Sequence, residues 1–489
     1  MINFLAFQVN DLVCLWTGHR QSSVCPLERS NLAVLAQQGS RLPQFVRNCP
    51  VAMKYLRLLG SLDWANFPER PANRAWPGPT PHPRAPFVAA YLVKLNEGHT
   101  YMSDLRAYLV DHPALVWVLG FKLKADPTSP YGFQVEASVP SRKQLGRVLR
   151  DLDNAALQFL LDSTVHLIGQ ALPSEVRFGE QISLDTKHIL AWVKENNPKA
   201  YVKEADRLDK TRQPSGDRTC KLGCKKKRNH GPETEPASDT TPNNQKQKRA
   251  TNFSQLDVYY WGYASGVVAT KVPDYGEYVL AELTQTFDRA DPTYFFPLMT
   301  QTERRLNRRP RFGALDAAFD AGYVHEYFAQ AGGFAAVPLT EKGGHNRSFD
   351  DAGRPLCQAG LPMPCRSTYL SRRGLIPQRH GRYACPLLFP KPTGQTCPLN
   401  HKNWSKGGCL STMGVSAGAR IRYILNRHSA EYKWLYNQRT ATERVNAQAK
   451  QLGIEQPKLR NQQAITNQNT LIYILINLRA YHRLRDRDN

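Results

Sequence analysis

The chain has 489 residues, a formal net charge of +24 and a pI of about 9.7. At roughly 150 residues per unit that length predicts two to four structural units with ample core, and 41% hydrophobic residues suit a soluble globular protein. No run reaches the roughly 18 apolar residues of a membrane span and no basic leader with a small-residue cleavage site opens the chain, whereas the charge predicts a polyanionic partner without separating DNA from RNA or anionic lipid.

Residues 1–48 show no firm periodicity and read as a loosely ordered extension. The pattern strengthens at VAMKYLRLLGSLDW and is interrupted by the proline-rich RAWPGPTPHPRAP, a linker or extended loop. PFVAAYLVKLNEGHTYMSDLRAYLVDHPALVWVLG then reads as a pair of short helices. From Ser141 to Leu172 apolar residues recur every three or four positions after a basic start, which predicts one long helix or two packed helices. Its leucines are core positions, and Arg142, Lys143 and Arg147 are free to meet a phosphate backbone.

Strands are expected at about 180–186, 257–263 and 277–284, a helix at about 292–306, a strand at about 312–319, a helix at about 322–331, and a short buried strand in GFAAVPLT. Two segments interrupt that series. The first, about 194–252, is polar and basic, and its composition predicts a disordered or loosely folded loop that either holds DNA or only solubilises. The second, about 339–428, carries Cys357, Cys365, Cys385, Cys397 and Cys409 with His380 and His401 nearby. Their long intervals are not the short paired spacing of a strong zinc motif, so structural Zn2+ and unligated thiols both stand. Cys220 and Cys224 alone are too few ligands. The final helix, from about Asn467, places Leu471, Ile474, Leu475 and Leu478 on its packed side.

Chemistry concentrates in YNQRTATERVNAQAK, residues 436–450. At about 100° per helical residue, Tyr436, Arg439, Glu443 and Lys450 fall within roughly 60° of one another on one face. Alone, that is an ordinary solvated face. Asp185 lies in the alternating run EQISLDTKHILAW, however, and RFGALDAAFDAGY places Asp320 at the end of a strand-like run. Two aspartates and a glutamate are hard oxygen ligands of the kind that hold magnesium or manganese beside substrate phosphates. Asp316, four residues before Asp320, is the alternative second aspartate.

Tyr436-x2-Arg439-x3-Glu443-x6-Lys450 matches in full the YREK signature of bacterial insertion-sequence DDE transposases, and Asp320-Ala-Gly-Tyr323 resembles the segment carrying their second aspartate. The resemblance covers about residues 140–480. It implies an α/β fold: an RNase H-like mixed sheet flanked by helices (173–338 and 429–489), an insertion between the second Asp and the Glu (339–428), and a helical amino-terminal domain (49–172) for recognition of the element's ends. The implied activity is cut-and-paste DNA transposition, with Asp185, Asp320 and Glu443 holding two Mg2+ or Mn2+ ions. Tyr436, Arg439 and Lys450 would hold phosphates, and Trp404 in the insertion would stack on a flipped base. Implied partners are double-stranded DNA, as transposon inverted repeats and target, and a second protomer in a synaptic dimer; the location would be the bacterial cytoplasm. A nuclease that cleaves without joining, and an inactive transposase-derived DNA-binding protein, are the competing expectations.

Overall fold

The computed structural model of the chain describes residues 42–69, 82–225, 258–339, 348–372 and 374–487. The expectations for residues 1–41, the proline-rich linker at 70–81, and 226–257 of the basic interruption lie outside the described residues.

The order of elements follows from where apolar periodicity changes from helical to alternating. Helices α1 (Pro50–Leu59), α2 (Ala85–Asn96), α3 (Met102–Asp111), α4 (Pro113–Val118), α5 (Arg142–Asp151) and α6 (Asn154–Ala171) come first. The Ser141–Leu172 segment is therefore two helices, each with its own side-chain cap: Ser141 Oγ accepts from Gln144 N–H and Asp153 Oδ1 from Ala155 N–H. Such caps satisfy the orphan donors of a helix start and set its first residue.

The central sheet contains β1 (Gln181–Leu190), β2 (Lys221–Lys225), β3 (Val258–Val272), β4 (Gly276–Thr286), β5 (Phe312–Leu315) and β6 (Phe334–Ala336) in the order β2-β3-β1-β5-β6, with β4 also paired to β3. Pairing is antiparallel for β1–β3, β2–β3 and β3–β4 and parallel for β1–β5 and β5–β6. Helices α7 (Phe295–Leu306) and α8 (Gly322–Gln330) lie before β5 and β6, as parallel strands require a crossover. The protein is thus mixed α/β, with helices flanking a mixed sheet.

Alternation divides the sheet into two apolar faces. Ile182, Leu184, Ala264, Val268 and Leu280 pack with Leu298 and Phe328 on one side. Ile189, Tyr263, Val267 and Val279 pack on the other with α2, α5 and the long carboxy-terminal helix α12 (Gln462–Arg485). The amino-terminal helices share this core with the sheet, and even Leu42 and Val46, within the presumed extension, are buried in it. Leu471, Ile474, Leu475 and Leu478 are buried on α12 as expected. The helix also buries polar side chains that bond to backbone it crosses: Asn467 Nδ2 donates to Leu149 O and Leu152 O, and Asn477 both donates to Val279 O and accepts from Val279 N–H. Buried amides satisfied in this way fix one register of helix on sheet.

The disorder expected across 194–252 does not extend over 194–225. Strand β2 pairs with β3, Cys220 is buried, and Tyr263 Oη donates to Asp217 Oδ2 at 2.8 Å. A turn rich in Asp and Thr, which bond their own backbone, supplies order that polar composition concealed.

Between β6 and the last helices lies a separate antiparallel sheet of β7 (Cys365–Ser371), β8 (Gln378–Ala384) and β9 (Leu410–Gly414). The chain returns through α9 (Ala417–Ile424), which packs on α8 at backbone distance: a Cβ at Gly418 would stand 2.0 Å from Gly322 O. Helices α10 (Ala430–Asn437) and α11 (Thr440–Gln451) follow. One continuous helix through residues 436–450 was expected. Instead Gln438, Arg439 and Ala441 make i to i−3 bonds, and the chain tightens there between α10 and α11.

Candidate active site

Strand β1 carries Asp185 on the face that α11 crosses. It lies opposite Val267 of β3, within the strand rather than at its end. On the other edge β5 runs parallel, with Leu184 beside Leu315. One residue further along both strands come Asp185 and Asp316, where pairing with β5 stops.

Asp316 caps the short 3-10 turn Ala317–Phe319, and the strand expected to reach 319 ends at Leu315. This corrects the placement of Asp320. Its side chain is fully buried, and Arg422 of α9 grips it with two bonds, Nε to Oδ1 at 2.6 Å and Nη2 to Oδ2 at 2.5 Å. His325 Nε2 stands 3.5 Å from the same carboxylate. Asp320 thus belongs to the α8–α9 packing, and Asp316 holds the position beside Asp185.

Burial pushes the Asp185 carboxyl up to about 6; the charges of Asp316 and Asp291 add to the rise, while the Thr186 N–H and the Arg439 charge oppose it. Asp291 is drawn in through Thr186, whose Oγ1 donates to Asp291 Oδ1 at 2.9 Å. Asn446 Nδ2 donates to Asp185 Oδ2 at 3.3 Å, and Asn446 Oδ1 is buried with no hydrogen-bond partner. A carboxyl raised by burial and by neighbouring carboxylates is poorly compensated by the protein and favours a cation beside it.

Glu443 stands in the first turn of α11 and lines, with Asp185, Asn446 and Lys450, an open cleft of about 610 Å³. Arg439 Nη2 donates to Glu443 Oε1 at 2.6 Å, and its guanidinium lies 6.0 Å from the Tyr436 ring centre. Arg439 therefore links Tyr436, Glu443 and the field at Asp185. Lys450, at the other end of the cleft, stands 3.5 Å from Glu455, which also pairs with Lys187. Lys187, His188, Tyr260 and Gln456 complete much of the wall. The cleft thus unites Asp185, Glu443 and Lys450. Trp404, on a 3-10 turn between β8 and β9, is not among its lining residues.

Asn446, Lys187 and Glu455 were missed by the sequence reading. Asn446 had a legible signal, three residues after Glu443 on the same helix; Glu455 had none, since it arrives from the turn after α11.

The donor set suits hard divalent ions: Asp185 and Asp316 adjacent, Glu443 across the cleft, and the amide oxygen of Asn446 nearby. Among the described residues no three His, Cys, Asp or Glu side chains converge as a ready ligand group, and Glu443 is turned to Arg439. In the small sheet Cys357, Cys365, Cys385, Cys397 and Cys409 are all free thiols. Burial pushes Cys409 up to about 12, with Cys385 and Cys357 adding to the shift.

No helix among the described residues is long and apolar enough to cross a membrane. Comparison with known families, curated proteins and solved structures finds no match to this chain.

Proposed function

We propose that this chain is a DDE-type DNA transposase, a polynucleotidyl transferase whose carboxylates are Asp185, Asp316 and Glu443. The observation that carries the reading is the register of β1 on β5, which brings Asp316 next to Asp185, itself in a cleft also lined by Glu443 of the YREK segment. Support comes too from the series β1, β3 and β4, with β2 added at the amino-terminal end of β3, then helix, strand, helix and strand, which suits an RNase H-like domain. In this reading 339–428 is an insertion between the second carboxylate and the third, and the partners are duplex transposon ends and target DNA.

Two divalent ions, when bound, supply activation of a water or 3′-hydroxyl and stabilisation of the leaving oxygen. Asp185, Asp316 and Glu443 would hold them. Arg439 and Lys450 bind the phosphates flanking the cut, and Tyr436 donates to a phosphate oxygen; such contacts position DNA without reading its sequence. Phosphoryl transfer asks for positioning and charge neutralisation above all, and a cleft that holds Asp185 and Glu443 with Lys187 and Lys450 in its wall and Arg439 beside Glu443 suits both. Glu443 would turn from Arg439 to hold an ion, and the guanidinium would then be available to a phosphate.

The test is incubation of the purified protein with Mg2+ or Mn2+ and DNA bearing the ends that flank its gene, beside Glu443→Gln. Joined product from the unmutated protein alone supports the reading. Cleavage without joining would replace it with a nuclease, and binding without chemistry in either protein with an inactive descendant.

A further inference from the structure

Beyond the cleft, the exposed side of α5 presents Arg142, Lys143, Arg147 and Arg150, while Leu145 and Leu149 bury the opposite side. Facing them across a groove of about 490 Å³ are Lys458 and Arg460, from the segment after α11, and Trp192, just beyond β1. Trp192 is 40% exposed between the buried Ala191 and Val193. Its indole holds both facing cations, with Lys458 Nζ 5.8 Å and the Arg460 guanidinium 4.9 Å from the ring centre. Among the described residues none of these six cations forms an ion pair.

A solvated face of scattered lysines is the ordinary explanation for surface charge. It does not account for this groove. The six charges converge from two facing elements, no carboxylate is among the described residues that line the groove, and an aromatic ring holds two of the charges by cation–π contact. Such a concave, one-signed surface focuses its field on an anion.

The groove also continues the cleft. Leu190 and Gln456 line the cleft, while Trp192 and Lys458 line the groove, two residues further along each segment. Two residues span at most about 7 Å, on the scale of one nucleotide step. On α5 the cations run from Arg142 to Arg150, about 12 Å at 1.5 Å per residue.

We propose that the groove between α5 and residues 458–460 binds the phosphate backbone of duplex DNA leaving the cleft, as a site distinct from Arg439 and Lys450. Duplex is favoured over single-stranded nucleic acid because single strands are held by bases stacking on open aromatic faces, and the one aromatic here is engaged by two cations. Naming the polyanion as DNA rests on the transposase reading.

The experiment measures binding of the full-length protein to a random-sequence duplex, and to one of its strands, by fluorescence anisotropy in EDTA across a salt series. The triple variant Arg142→Gln, Arg147→Gln, Lys458→Gln should lose about 100-fold in duplex affinity. Its salt slope should fall by about 2.7, since each phosphate contact on B-DNA contributes about 0.9. Trp192→Leu, which leaves every charge in place, should lose about tenfold by releasing Lys458 and Arg460. Circular dichroism melting verifies that both variants remain folded. Unchanged affinity and slope in the triple variant would overturn the site, and tighter binding of the single strand by the unmutated protein would overturn the occupant. Metal-dependent cleavage by the same preparations separates the two readings. Loss of groove binding in a protein that never cleaves leaves the groove standing and removes the transferase; cleavage with an unaffected triple variant does the reverse.

Discussion

Asp316 and Asp320 are four residues apart and have opposite fates. Asp316 stands beside Asp185, whose carboxyl is pushed up by burial and by neighbouring carboxylates. Asp320 is sealed between α8 and α9 with its charge answered by Arg422. A carboxylate whose lone pairs are already taken by a guanidinium has little to offer a ligand, whereas one whose ionisation is resisted, as at Asp185, gains most from a cation. Compensation, more than residue type or position near a strand end, distinguishes a site from a joint.

Substitution at the two ends of this comparison should separate chemistry from stability. Asp185→Asn and Asp316→Asn should lower metal-dependent cleavage by at least about 1,000-fold, on the scale of removing a large electrostatic contribution, while thermal melting stays level or rises. Asp320→Asn should do the opposite: breaking a buried pair costs about 3–5 kcal/mol, and the fraction that remains folded should still cleave. Adding Arg422→Met should restore much of that loss, because the stranded guanidinium is the greater part of the cost. Cleavage abolished by Asp320→Asn at full stability would reverse the assignment.

Arg439→Ala should lower cleavage and end binding together by roughly 10- to 100-fold, since the side chain serves both Glu443 and a phosphate. Measuring the loss against salt concentration checks this, and an unchanged profile counts against the phosphate contact.

A smaller effect concerns Glu282, which is fully buried. Burial pushes its carboxyl up to about 7, against hydrogen bonds from Thr470 and Gln158 and the charge of Arg305. Because the folded value is raised, the contribution to stability is fully present below the unfolded value near 4.5 and is lost as pH rises through about 7. Glu282→Gln mimics the protonated form, so it should melt with the unmutated protein at pH 5 and exceed it by roughly 1–3 kcal/mol at pH 8. Equal pH dependence in both proteins would remove Glu282 as the cause. Trp404→Ala, away from the cleft, should leave the first cleavage step within about twofold; a larger loss would bring the small sheet into the site.

Much of the fold was legible because it depends on local periodicity. The alternating run around Asp185, the helical spacing through Ser141–Leu172 and the apolar positions of α12 all report which side of an element is buried. What was hidden depends on partners distant in the chain. The end of β5 at Leu315 is set by where β1 ceases to pair, and the role of Asp320 by an arginine that returns after the small sheet. Order in 194–225 comes from pairing with β3, which polarity alone does not reveal. Of the four-residue signature, the tightening between α10 and α11 leaves Arg439 close to both Tyr436 and Glu443, while Lys450 pairs with Glu455.

The contact of Gly418 with Gly322 separates two kinds of tolerance in the chain. Doubling the length of a flexible loop raises its closure cost by only about 0.6 kcal/mol, so the excursion through the small sheet can grow or shrink across descendants with little thermodynamic resistance. A single methyl at Gly418 meets backbone that has nowhere to move. Size is free to drift in the appendage; the landing point of the returning chain, and with it the start of the path to Glu443, is not.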